Sequence, residues 1–111
     1  MQALLCKVIS YKELLKEAEM YQAIVQDEVV RTIVSYIGKR GKVRVDKIVF
    51  PDETKIKEVY ERNGLDPGQI IKLLMKMEDK GILSSRFEDN VRTFYLSKKA
   101  KSLISSYEVD I

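Results

Sequence analysis

Residues 55–83 read KIKEVYERNGLDPGQIIKLLMKMEDKGIL, and this stretch decides the fold. Asn63 and the glycine after it end a first helix, because both residue types accept the backbone conformation that follows a helical terminus. Asp66 then supplies an N-cap, and Pro67 suits the first helical position, where a backbone N–H is not needed. The pattern predicts two helices joined by a tight turn, the second of them over residues 67–80.

Apolar residues recur at helical spacing along both of these helices. They are Ile56, Val59, Leu65, Ile70, Leu74 and Met77. Residues three and four apart lie on one helix face, so the two helices can cross and bury a common core. This leaves the N-terminal half of the second helix exposed, where free backbone N–H groups and the positive end of the helix dipole suit a phosphate.

A hairpin and a further helix are predicted after this pair. Residues 82–96 supply two short strands, 82–87 and 91–96, joined by the polar turn Glu88-Asp89-Asn90. Ser97 then caps a last helix, whose Ala100, Leu103 and Ile104 face inward.

The chain before residue 55 begins with a predicted amphipathic helix. Ser10 followed by Glu13 is a capping-box pattern, and apolar residues at helical spacing extend the helix from about Tyr11 to about Gln26. Residues 1–9 fit neither period, so they are either the start of a helix or a short strand.

A second helix and a strand follow it. Asp27 either caps this helix or lies within a longer one, and the apolar face that follows extends to Ile37. Gly38 and Gly41 are predicted to end it. Residues 42–46 alternate between polar and apolar, which predicts a half-buried strand.

The composition indicates one compact domain with a heavily charged surface. Of the 111 residues, 45% are apolar and 33% charged, and 20 basic against 17 acidic residues leave a net charge of only +3. That balance is a weak argument for nucleic acid by itself. With 1–26 as an N-terminal extension, we expect the main domain over 27–106 and a tail over 107–111.

Several function classes lack their residues. Histidine is absent and Cys6 is the single cysteine, so the sequence predicts no disulfide, no metal site and no cofactor. A glycine-rich phosphate loop and a histidine base are missing too, so we expect no catalysis. The apolar N-terminus is too short to span a membrane and has no secretory cleavage pattern, which predicts a cytoplasmic protein.

The predicted order of elements resembles the winged helix-turn-helix superfamily, in the style of MarR-type and related archaeal transcription regulators. The resemblance is carried by 55–83, with its Gly-Leu turn and closing Lys-Gly-Ile-Leu, and by FYLSKKAKSLI at 94–104. It covers about residues 27–106. It implies an α+β, mostly helical fold, a winged helix-turn-helix with additional N-terminal and C-terminal helices.

The resemblance also implies sequence-specific binding of double-stranded DNA as a transcription regulator, with recognition helix 67–80 in the major groove and hairpin wing 82–96. The groove-facing positions are then Gly68, Gln69, Ile71, Lys72, Leu73, Met75 and Lys76. Gln69 can bond an adenine edge in the bidentate manner, and the two lysines can meet guanine acceptors or phosphates. These three polar side chains can equally serve only to solvate an outer helix face.

Ile71, Leu73 and Met75 depart from the usual pattern, because these positions are mostly polar in helices that read DNA. Their apolar side chains can touch thymine methyl groups, pack on the N-terminal helix or form a protein-binding surface. The last possibility supports an alternative function, a winged-helix protein-interaction module in a larger replication, transcription or viral assembly.

The predicted wing is basic near its base and acidic at its tip. Glu88-Asp89 would be repelled by phosphate, which weakens a model with the wing in the minor groove and favours DNA contact through Arg86 and Arg92 on the two strands. Lys39 and Arg40 form a second candidate cluster for backbone contact. Each group can also be read as a solvated charged surface.

The N-terminal helix carries an apolar stripe suited to pairing with a second copy. The candidate dimer seam consists of Leu4, Val8, Tyr11, Leu15, Ala18 and either Tyr21 or Gln22. Two-fold symmetry would place two reading helices one DNA turn apart on a near-palindromic site. Alternatively, this helix folds back over its own domain and covers Ile33 and Ile37.

Overall fold

The computed structural model describes residues 10–107 and residue 109. Its helices are α1 (Tyr11–Gln26), α2 (Glu28–Arg40), α3 (Val45–Val49), α4 (Thr54–Arg62), α5 (Pro67–Asp79) and α6 (Lys98–Ser106). Its strands are β1 (Val43–Arg44), β2 (Leu83–Glu88) and β3 (Val91–Leu96). The predicted fold class is confirmed. The choice between helix and strand for residues 1–9 lies outside the described residues.

Local capping signals set the start of most helices. The Ser10 hydroxyl accepts from the backbone N–H of Glu13, and the Ser97 hydroxyl accepts from that of Ala100. The Asp27 carboxylate accepts from two backbone N–H groups of α2, so this residue is a cap between two helices rather than a position within one long helix. Each cap satisfies donors that the helix itself leaves free.

The three strands form one antiparallel sheet in the order β1-β3-β2. Val43 of β1 lies opposite Phe94, and Leu83 of β2 lies opposite Leu96, so the inner face of the sheet is apolar. Helices α2, α3 and α5 pack against this sheet. The core between them is centred on fully buried residues, among them Ile33, Ile37, Ile48, Ile56, Ile70, Leu74 and Ile82.

The predicted end of α2 at Gly38 is wrong. Gly38 lies within the helix, and a Cβ built on it would stand 3.2 Å from Leu96 Cδ1, so the missing side chain lets α2 approach β3 closely. The helix ends at Gly41, whose φ of 83° lies in the region that glycine adopts without strain.

The predicted strand over 42–46 is also wrong beyond its first residues. Only Val43–Arg44 is a strand, and helix α3 follows directly. Val45, Ile48 and Val49 have helical spacing and turn toward the core, and the Tyr60 hydroxyl donates to the Ile48 carbonyl oxygen at 2.8 Å. Long-range packing therefore favours a helical turn over the local alternation.

The turn between α4 and α5 is tied to the start of α2. The Glu28 carboxylate accepts hydrogen bonds from Arg62 and from Asn63 at the end of α4. These hydrogen bonds, that of Arg62 first, hold the pKa of Glu28 below its ordinary value of 4.5. The contact fixes where α5 begins relative to the rest of the domain.

None of the helices within the described residues has the length and apolar character needed to cross a bilayer.

Candidate nucleic-acid interface

Helix α5 is set in place by its first turn and by its buried stripe. Pro67 occupies the first turn, and Ile70, Leu74 and Met77 are almost fully buried. With 3.6 residues per turn, the opposite face consists of positions near Gly68 and Lys72. These positions are exposed, and so are Met75 and Lys76. The face predicted to read DNA is therefore accessible along most of the helix.

Gln69 is held by the helix terminus. Its backbone N–H donates to Asp66 Oδ1 at 2.8 Å, and its side-chain Oε1 accepts from the Asp66 backbone N–H at 2.9 Å. This reciprocal capping box occupies the amide oxygen. A bidentate contact with adenine needs that oxygen too, so Gln69 would have to leave the capping box or use the second lone pair of the oxygen to make it.

Lys72 and Lys76 are exposed and belong to the basic residues that form no ion pair within the described part of the chain. Six basic residues in the described part of the chain form ion pairs with carboxylates: Arg40, Lys42, Arg44, Lys47, Arg62 and Arg86. Neither α5 lysine forms such a pair within the described residues. Their charges are therefore available to an anionic partner at the exposed face of the helix.

The three apolar residues of α5 at positions that are mostly polar in DNA-reading helices have different environments. Ile71 and Met75 are 44% and 59% exposed, whereas Leu73 is half-buried and packs against the core. Leu73 is therefore not freely groove-facing as the resemblance implies, because it packs against the core. Ile71 and Met75, four residues apart, form an exposed apolar strip on one side of the helix.

The wing is a two-stranded hairpin with a tight turn. Asp89 and Asn90 both have positive φ, 53° and 65°, which is the signature of a type I′ turn between twisted strands. In the pairing register Arg86 lies opposite Thr93, and Arg92 lies opposite Phe87. Because adjacent residues alternate in direction along a strand, the two arginines lie on opposite faces of the hairpin.

Both wing arginines are engaged within the hairpin. The Arg86 guanidinium lies 4.6 Å from the Tyr95 ring centroid and donates to the Tyr95 hydroxyl and to Glu88. The Arg92 guanidinium lies 4.6 Å from the Phe87 ring centroid and donates to Ser85 Oγ at 2.6 Å. Each of these arginines therefore orders an aromatic side chain.

The acidic tip of the wing is partly neutralised. Lys42 and Arg86 both form ion pairs with Glu88, at 2.9 and 3.2 Å. The hydrogen bond from Lys42 is the main reason that the pKa of Glu88 falls below 4.5. The repulsion of phosphate expected from Glu88 is therefore weaker than the sequence indicates.

The two residues of the second basic cluster, Lys39 and Arg40, have different surroundings. Arg40 lies 3.9 Å from the Tyr36 ring centroid and forms an ion pair with Glu53 at 2.8 Å. Lys39 beside it is exposed. Of the two, Lys39 has the freer charge.

Helix α1 has an inner and an outer part. Met20 and Ile24, in its second half, are buried in the core, and the helix packs against α2 and α6. In its first half Tyr11 is 91% exposed, and Leu15 and Ala18 are exposed as well. The seam residues Leu4 and Val8 lie outside the described residues. The helix therefore covers its own domain at one end and presents apolar side chains at the other.

One exposed aromatic residue of the wing, Phe87, is not indicated by the sequence. Phe87 occupies the same strand face as Leu83 and Ser85, so the alternation indicates a half-buried residue. It is 66% exposed instead, because it lies near the wing turn, beyond the part of the strand that meets the core. Its closeness to the polar turn is the signal in the sequence that could have identified it.

Within the described residues, no group of three or more acidic or cysteine side chains is arranged to hold a metal ion.

Comparison with known proteins gives the fold a wider context. No protein-family model and no curated protein matches the sequence. Two similar solved structures are an ArsR family transcriptional regulator and AntR, an antimony-specific transcriptional repressor. The first has a TM-score of 0.55 at 19% identity, over 91% of this chain and 89% of that one. The second has a TM-score of 0.56 at 11% identity, over 93% and 84%.

These similarities are structural, and their low sequence identity makes them statements about fold. The first neighbour is an ArsR family protein, so the finer likeness to MarR-type regulators is not reproduced. The chain has a winged helix-turn-helix fold with flanking N-terminal and C-terminal helices.

Proposed function

We propose that this protein binds double-stranded DNA as a transcription regulator, with α5 in the major groove and the β2-β3 hairpin beside it. The single observation that carries the proposal is the pair Lys72 and Lys76, exposed on the outer face of a firmly capped helix and without an acidic partner in the described residues. The winged-helix fold and the transcriptional roles of its structural neighbours support the same function.

The chemistry of α5 suits this role. Lys72 and Lys76 can meet phosphates or guanine acceptors, while Ile71 and Met75 can contact thymine methyl groups. In the first turn Pro67 has no N–H and the Gln69 N–H is bonded to Asp66, so the turn can offer a phosphate the backbone N–H of Gly68 and the positive end of the helix dipole. Lys39 adds a further backbone contact, with Arg40 beside it.

The proposal includes a homodimer. The N-terminal extension over 1–26 serves as its pairing element, next to the DNA-binding domain over 27–106 and the tail over 107–111. Tyr11, Leu14 and Leu15 leave apolar surface on α1 that water solvates poorly. A two-fold dimer of this kind reads two half-sites.

The test is a salt series on duplex DNA with Lys72→Ala and Lys76→Ala. Each change should weaken binding and lower the slope of log affinity against log salt by about 0.9, because one phosphate contact is lost. Lys12→Ala is the matched control, since it removes the same charge from an exposed position on α1. Unchanged affinity and slope in both α5 variants would exclude this helix as the DNA-binding surface.

A second candidate function is protein binding through the same helix. The exposure of Ile71 and Met75 is the observation that favours it, because exposed apolar anchors dominate small protein interfaces. Ile71→Gln and Met75→Gln separate the two candidates. Altered base preference supports DNA reading, whereas unchanged DNA binding with loss of a protein complex supports the interaction module.

A further inference from the structure

Phe87 is an exposed aromatic side chain near the end of the wing. It lies on β2, opposite Arg92 and just before the Asp89-Asn90 turn, and is 66% exposed. An aromatic ring in this position contributes little to the core and leaves a large apolar surface accessible to a partner.

The ring is held in place by a chain of contacts that begins on α5. Glu78 Oε2 accepts from Ser85 Oγ at 2.6 Å, and the same hydroxyl accepts from Arg92 at 2.6 Å. The Arg92 guanidinium then covers one face of the Phe87 ring. The orientation of Phe87 is thereby coupled to the helix proposed to read the major groove.

The same contacts join one side of α5 to the wing. Ile71, Met75 and Glu78 share one side of α5, since they are four and three residues apart. α5 ends and β2 begins at the turn that joins them. Met75, before Glu78 on the helix, and Phe87, after Ser85 on the strand, therefore both lie farther from that turn than the Glu78–Ser85 hydrogen bond that joins the helix to the wing.

The charge beside the Phe87 ring favours an anionic partner. Arg92 lies against the ring and is not among the six ion-paired basic residues, whereas Lys42 and Arg86 offset Glu88 on the other face of the hairpin. Duplex DNA combines phosphates for such cations with deoxyribose and base edges for apolar side chains. Proteins that enter the minor groove commonly insert apolar wedges between base steps.

We propose that Phe87 is the residue by which the wing contacts DNA, entering the minor groove next to the major groove occupied by α5. Arg92 is a positioning residue in this arrangement, because it acts through the ring that it orients. The wing arginines, the contacts that the sequence favours, then serve to shape the hairpin. The inference rests on the proposed function, and its test keeps the two apart.

The first measurement compares the affinities of Phe87→Ala and Phe50→Ala for an AT-rich DNA duplex. Phe50 is a matched control, because it is also 66% exposed but lies at the end of α3. Loss of a base-stacking aromatic should weaken binding by about tenfold. The salt slope should stay unchanged, since no charge is removed. Phe50→Ala should bind as the unchanged protein does.

The second measurement places 2-aminopurine in the duplex and follows its fluorescence, which rises when the base unstacks. Binding of the unchanged protein should raise the signal, and Phe87→Ala should not. Ser85→Ala removes the anchor of Arg92 without changing the charge, so it should reduce the signal while the salt slope remains constant. A thermal melt of each variant checks that the domain is folded.

Two results would overturn the inference. One is Phe87→Ala binding as tightly as the unchanged protein, and the other is continued tight binding when netropsin fills the minor groove. If Lys72→Ala and Lys76→Ala still weaken binding in either case, only the wing assignment fails. If those lysine variants also have no effect, the proposed function fails with it.

Discussion

At the scale of single residues, Gln69 takes part in a helix cap with Asp66, whereas the sequence predicts that it contacts a DNA base. Their reciprocal bonds of 2.8 and 2.9 Å close the start of α5. The sequence alone predicts that Gln69 bonds an adenine, because an amide on an exposed helix has the donor and the acceptor that this base requires. The structure uses its acceptor within the helix itself.

This leads to a prediction about stability. Asp66→Ala should lower the free energy of unfolding by about 1 kcal/mol, because it removes the N-cap. Gln69→Ala should lower it less, by about 0.5 kcal/mol, because only the reciprocal hydrogen bond is lost. Urea denaturation of both variants measures the difference. If Gln69→Ala leaves stability unchanged and alters base preference instead, the amide belongs to the DNA contact and not to the cap.

At the scale of elements, the two glycines predicted to end α2 have different uses. Gly41 ends the helix with a positive φ, whereas Gly38 sits inside it and lets the helix approach Leu96. Sequence reasoning treats both as helix terminators, since glycine weakens a helix anywhere. Only the packing of α2 on β3 separates a terminator from a close contact.

We therefore predict opposite outcomes for two glycine substitutions. Gly41→Ala should lower the free energy of unfolding by about 1 to 2 kcal/mol, because a side chain at a φ of 83° is strained. Gly68→Ala, in the first turn of α5, should raise it by about 0.5 kcal/mol through better helix propensity. Equal effects in thermal melts would mean that backbone conformation is not the controlling factor at Gly41.

At the scale of the whole molecule, α1 joins the core at one end and remains open at the other. Met20 and Ile24 are buried, so a fragment that starts at Gln26 would lose core packing as well as any dimer contact. The outer residues Tyr11, Leu14 and Leu15 make few contacts with their own domain. Dimerisation is better tested by changing these residues than by deleting the helix.

Leu15→Glu is expected to convert the proposed dimer into a folded monomer. A carboxylate in an apolar seam must be desolvated without a partner, which opposes association, whereas the exposed side chain contributes little to the monomer. Sedimentation velocity measures the oligomeric state, and circular dichroism checks the fold. Phe50→Glu provides the control, since it introduces the same charge at another exposed apolar site. A Leu15→Glu protein that remains dimeric would place the seam elsewhere.

The sequence by itself determined the features that depend on near neighbours. The caps at Ser10, Asp66 and Ser97 act within three residues, and the apolar spacing of α5 repeats within two turns. Such signals are local, because a capping hydrogen bond or a helix face is complete within a short segment. The order of the main elements and the fold class follow from them.

The tertiary structure decided which partners distant residues find. Residues 45–49 are helical because the helix packs into the core and lets the Ile48 carbonyl accept a hydrogen bond from Tyr60. Gly38 lies inside α2 because it allows a close contact with Leu96. Arg92 was directed to Ser85 and Phe87, leaving the aromatic ring rather than the guanidinium at the surface. These outcomes depend on which side chains meet across elements, and neither periodicity nor charge along the chain contains that information.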